Sequence, residues 1–182
     1  MSGAVDSAWQ AALAAEYAAI FGYGVLGPRL QDPAELALAR ACEQAHRDLA
    51  NEVELQIAAT GQTPPAPRPS YVLPFPVTDP ATAHRLAVRL EEATAAAWRY
   101  LIATAANPSL ASVSPTSVSP TSTSPAPPSP ASATEAPAAS SGVGLAILRA
   151  GAVQRLSAAA VRALGWRRIV TPLQPSVAFP GI

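Results

Sequence analysis

Leu38-Ala39-Arg40-Ala41-Cys42-Glu43-Gln44-Ala45-His46-Arg47-Asp48-Leu49 lies at the heart of the stretch whose reading decides the fold. Asp32-Pro33-Ala34-Glu35 opens it: Asp32 can accept orphan amide hydrogens, Pro33 suits the first helical position, and Glu35 can reach back as in a capping box. Leu38, Cys42, Ala45, Leu49, Val53 and Ile57 then recur at three- and four-residue spacing. This periodicity predicts an amphipathic helix, ended near Thr60 by Gly61. Glu43 and His46 sit beside the apolar seam, on the row Leu36, Ala39, Glu43, His46 and Ala50, as border residues that lean inward.

Three more helices are expected. The first runs from about Val5 to Leu26 and stops at Gly27-Pro28. Trp9, Leu13, Glu16 and Ile20 share its inner stripe, so Glu16 falls among apolar residues. The third opens at Asp79-Pro80 by the same cap-then-proline device and ends at Asn107-Pro108. Its seam is Leu86, Leu90, Ala93, Ala97 and Leu101. Glu91 belongs to the flanking row Ala87, Glu91, Thr94 and Trp98 and is the inward carboxylate, whereas Glu92 joins Arg85, Arg89 and Arg99 on a solvated face. The fourth is expected from about Val143 to Trp166, followed by an extended tail over 171–182.

The connections differ in kind. Thr63 to Thr78 contains six prolines, so it should be extended at about 3.1 Å per residue and reach roughly 45 Å. That matches a helix of about 27 residues, roughly 40 Å long. The segment can therefore run the length of a bundle and leave the second and third helices parallel, with Tyr71, Val72, Leu73 and Phe75 as anchors. Residues 108–141 are almost entirely Ser, Thr, Pro and Ala, and Ser-Val-Ser-Pro-Thr occurs at both 112–116 and 117–121. Such a composition cannot bury enough apolar surface to offset its ordering entropy, and a disordered linker inside a single domain of residues 1–182 is expected.

Composition narrows the function classes. All 12 basic residues are Arg, balanced by 12 Asp and Glu. With no net charge and no basic face, nucleic acid is not the expected partner. Cys42 is the only cysteine, which rules out an intrachain disulfide and a Cys-based zinc site. No apolar run reaches the ~18 residues of a membrane span, and no signal peptide follows Met1, so a cytoplasmic protein is expected.

Several stretches carry a family resemblance. They are Ala14-Ala15-Glu16-Tyr17-Ala18-Ala19, Tyr23-Gly24-Val25-Leu26, His46-Arg47, the run from Tyr71 through Pro74-Phe75-Pro76 to Asp79, Ala97-Trp98-Arg99, Ala160-Val161-Arg162 and Phe179-Pro180-Gly181. With these the chain is similar to an uncharacterised bacterial ferritin-like family, a domain of unknown function. The resemblance implies an all-α, ferritin-like four-helix bundle and carries no assigned activity. In ferritin-like metal proteins each of two helices gives a Glu and each of the other two gives Glu-x-x-His. Here Glu16, Glu43, His46 and Glu91 are the candidate metal ligands, and carboxylate and imidazole donors suit iron or manganese. After Glu135 the chain has no Asp, Glu or His, so the fourth helix offers no such ligand.

Two readings follow. In the favoured one the di-metal set is incomplete, no cofactor is bound, and the protein is non-catalytic, serving a structural role or binding a ligand or partner. Glu16 and Glu91 would then be paired to arginine, with Arg155 the expected partner and Arg162 the other candidate. In the rival one the four residues hold one iron or manganese ion for redox or storage. A homodimer is compatible with either. His84 is expected to be exposed, and Cys42 to be a small core residue.

Overall fold

The computed structural model describes residues 3–106 and 138–176, and its side chains over 3–106 and 144–176. The linker predicted over 108–141 falls almost wholly outside the described residues, as does the tail end at 177–182. Among the described residues there are four α-helices and no strand: α1 Gly3–Leu26, α2 Pro33–Ala59, α3 Pro80–Ala106 and α4 Ala138–Val170. The predicted all-α class holds. No described helix is long and apolar enough to cross a membrane.

The helix starts use the chemistry written into the sequence. Asp32 caps α2, its carboxylate accepting from the Ala34 amide at 2.7 Å with Pro33 in the first turn. Glu35 does not complete a capping box; it turns instead to His84 at 2.8 Å. At α3 the reciprocal pair is Asp79 and Thr82: the Thr82 amide donates to Asp79 Oδ1 at 2.8 Å, and the Asp79 amide to Thr82 Oγ1 at 3.1 Å. Gly61 follows α2 with a φ of +79°, the left-handed conformation that glycine adopts without strain.

Helix α4 starts five residues before the expected Val143 and ends four beyond Trp166. Alanine at 138 and 139 favours the earlier start. Arg167 and Arg168 in the last turn suit the negative end of the helix, and Arg167 also pairs with Glu92 at 2.7 Å. The chain leaves through a turn in which the Gln174 amide donates to Thr171 O.

Side-chain pairs fix the helix directions. Glu16 meets His46 and Tyr17 meets Glu54, while Gln10 reaches Gln62, so α1 and α2 are antiparallel. Tyr23 meets Glu91 and Glu16 meets Trp98, so α1 and α3 are antiparallel too. It follows that α2 and α3 run parallel. Helix α4 opposes α3, because His84 stacks on Trp166 and Arg162 bonds Glu91. Between α2 and α3 the chain has no helix, and Tyr71, Leu73, Phe75 and Val77 turn inward in alternation. Val72, expected to anchor this segment, is 99% exposed because extended chain sends successive residues to opposite sides.

The core divides in two. One apolar cluster gathers Trp9, Leu13, Tyr17, Val53, Ile57, Trp98 and Leu101. The other gathers Tyr23, Leu26, Leu30, Cys42, Leu86, Leu90 and Trp166. On α1, α2 and α3 the switch from one cluster to the other falls at Glu16, at His46, and between Glu91 and Thr94, and these four residues are fully buried. A polar belt therefore crosses the middle of an otherwise apolar interior. Helix α1 packs on α2 and α3, and α4 packs on α3. Helices α2 and α4 instead line a cleft of about 1250 Å³.

Candidate functional site

Glu16 reaches the belt because it lies one turn beyond Leu13 on the buried face of α1. Glu91 does so because its row, with Thr94 and Trp98, is the face of α3 turned to α1 and α4. His46 belongs to the row of Ala39, Cys42, Ala50 and Val53, which the structure shows to be the buried face of α2. It is therefore a core residue, not the border position expected. Glycine helps to bring the helices this close: a Cβ on Gly22 would stand 2.5 Å from Leu90 Cδ1.

The three groups bond directly. His46 Nδ1 lies 2.5 Å from Glu16 Oε2 and Nε2 lies 3.1 Å from Glu91 Oε1. Glu16 Oε1 accepts from the Trp98 indole at 2.7 Å. Glu91 Oε1 also accepts from the Tyr23 hydroxyl at 2.7 Å, whose oxygen accepts in turn from Trp166 Nε1 at 2.9 Å. Glu91 Oε2 accepts from Arg162 Nε at 2.9 Å. Every carboxylate oxygen in the belt thus has a donor, as buried polar groups require.

The electrostatics follow from this geometry. A neutral imidazole has one N–H and would turn its other lone pair on a carboxylate. Burial works against the charged ring, but the hydrogen bonds and charges of Glu16 and Glu91 outweigh it, and the His46 pKa rises to about 9. At neutral pH two carboxylates then face one imidazolium and one guanidinium, and the belt carries no net charge. Tyr23 is pushed well above the usual tyrosine range by burial first and the Glu91 carboxylate second. Burial and Glu91 likewise raise the Cys42 thiol, which makes it a poor nucleophile.

Of the four candidate ligands, Glu16, His46 and Glu91 come together. Glu43 does not: its side chain is 25% exposed and bonds Arg47 at 2.5 Å on the flank of α2. Arginine pairing also differs from expectation. Glu16 is paired to His46 and not to Arg, and the cation on Glu91 is Arg162. Arg155 instead bonds Glu52 and lies over the rings of Trp9 and Trp98. His84 is largely covered by Trp166 rather than exposed. Two members of the belt were not singled out as site residues from sequence, Tyr23 and Trp98. Both carried a signal, each lying seven residues along its helix from a buried Glu and hence on the same face.

Among the described residues no group of three or more His, Cys, Asp and Glu is arranged to hold a metal ion. Both ring nitrogens of His46 face carboxylates, and the α4 position beside Glu91 holds a cation. As arranged, this donor set does not fit a metal centre.

Comparison with known proteins gives a family and a fold relative. No curated protein matches the sequence. A crystal structure of a conserved hypothetical protein, rv2844, from Mycobacterium tuberculosis is similar with a TM-score of 0.65 and 28% identity, covering 93% of this chain and 99% of that one. The family model described as Domain of unknown function (DUF4439) matches residues 8–114, which include Glu16, His46 and Glu91. Since that match spans more than half of the sequence, the chain belongs to the DUF4439 family.

Proposed function

We propose that the chain is a ferritin-like bundle in which an internal ion-pair belt occupies the place of a metal centre, and that it acts by binding or structural support, not by catalysis. The parallel arrangement of α2 and α3 joined by a long extended connection supports the ferritin-like reading. One observation carries the functional part: His46 is clasped through both ring nitrogens by Glu16 and Glu91, with Arg162 balancing the remaining charge. A metal ion would need a ring nitrogen stripped of its proton and would meet Arg162 as a like charge.

The rival, a mononuclear iron or manganese site on Glu16, Glu43, His46 and Glu91, draws on the convergence of three of these four. It requires Glu43 to leave Arg47 and enter the core. Elemental analysis of protein produced with added iron and manganese separates the two, beside the Glu43→Ala/His46→Ala variant. No stoichiometric metal is expected in either. About one ion per chain, lost in the double variant, would replace this reading by the rival.

A further inference from the structure

The cleft between α2 and α4 is chemically distinct from the belt. Leu49 and Ala45 form apolar parts of its α2 wall, and Leu145, Ile147 and Leu148 of its α4 wall. Arg155 crosses the floor with its guanidinium 5.7 Å from the Trp9 ring centre and 5.1 Å from that of Trp98. Gly151 leaves it room, since a Cβ there would stand 2.9 Å from Arg155 Nη1.

The Arg155 guanidinium keeps donor capacity beyond its one ion pair. A guanidinium offers five N–H groups. Among the described residues Arg155 bonds only Glu52, whose side chain is 55% exposed while that of Arg155 is 12% exposed. Trp9 also lines the cleft, but its indole nitrogen is buried and opens no surface to it. A guanidinium with spare N–H groups beside an apolar trough suits a molecule with an anionic end and an apolar remainder.

We propose that the cleft binds an amphipathic carboxylate, its head on Arg155 beside Trp9 and its apolar chain along Leu49, Leu145 and Leu148. Glu52 occupies the head position in the free protein and turns out to solvent when the ligand enters. Asp48 flanks the site on α2, and Arg162 on α4 is already held by Glu91. This inference rests on the reading of the chain as a binding module, and not on the metal content of the belt.

The test titrates the full chain with dodecanoate below its micelle concentration, followed by calorimetry and tryptophan fluorescence, with dodecanol and dodecyltrimethylammonium as controls. Saturable one-to-one binding of dodecanoate is expected, about tenfold or more tighter than either control. Arg155→Gln should weaken it by about tenfold or more, and Glu52→Gln should tighten it several-fold by removing the internal competitor. Equal binding of all three probes, or no binding of dodecanoate, overturns the proposal. Should Arg155→Gln fail to fold, Glu52→Gln decides: unchanged or weaker affinity overturns it. Metal content is measured on the same samples. Metal-loaded protein that still binds dodecanoate would refute the belt reading alone, and metal-free protein that does not bind it would refute the cleft alone.

Discussion

His46 stands between two fully buried carboxylates, and its removal should be correspondingly severe. His46→Ala leaves two buried carboxylates with one cation between them, a loss of about 3–5 kcal/mol measurable by urea denaturation. Arg162→Ala should destabilise by a similar amount, and more than Arg155→Ala. Arg162 neutralises a fully buried Glu91, whereas Arg155 gives up contacts of about 1–2 kcal/mol over Trp9 and Trp98 and a pair with exposed Glu52. The belt should also be felt in pH dependence. Because the folded pKa of His46, about 9, lies above its ordinary 6.5, its stabilisation is complete below pH 6.5 and is lost as pH rises through 9. Wild-type stability should fall across that window by on the order of 3 kcal/mol, and the fall should be much shallower in His46→Gln. Much of this site was legible in sequence. Glu16 and Glu91 fell on inward rows by helical spacing alone. The depth of His46 did not, because a residue beside the seam is covered or left wet by how closely the neighbouring helices approach. Nor could spacing choose between Arg155 and Arg162, which share one face of α4 two turns apart; axial register decides, and it is set by tertiary packing.

At the level of the helix, three glycines should respond to the same chemical change in three ways. Gly24 has open space around its missing Cβ, so Gly24→Ala should add about 0.5–1 kcal/mol through helix propensity. Gly22→Ala meets Leu90 at once and should forfeit that gain, ending destabilised by about 1 kcal/mol or more when α1 and α3 are pushed apart. Gly61→Ala should cost about 1 kcal/mol for a different reason, the left-handed φ that ends α2. Thermal or urea melts of the three variants check this ordering. Helices α1, α2 and α3 were readable to within about two residues, because Pro33, Pro80 and Gly61 mark their ends chemically. Helix α4 was less so. It carries apolar residues on several faces, among them Ile147, Val153 and Val161 exposed to water, and no cap-then-proline signal marks its start.

As a whole the molecule is a row, α2–α1–α3–α4, whose two outer members face each other across a cleft. Amides of α1 and α3, packed on both sides, should exchange with solvent most slowly, and those of α2 and α4 sooner. A hydrogen-exchange map in which α4 is the slowest element would contradict this arrangement. The parallel course of α2 and α3 was readable from the length and proline content of residues 63–78. The cleft was not, since a gap between helices leaves no mark in the periodicity of either. One consequence lies in Cys42, buried beside the belt with its thiolate disfavoured. As the sole sulfhydryl of the chain it gives a native chemical clock: the rate at which an alkylating reagent consumes it counts the moments when the interior comes apart, with no engineered label.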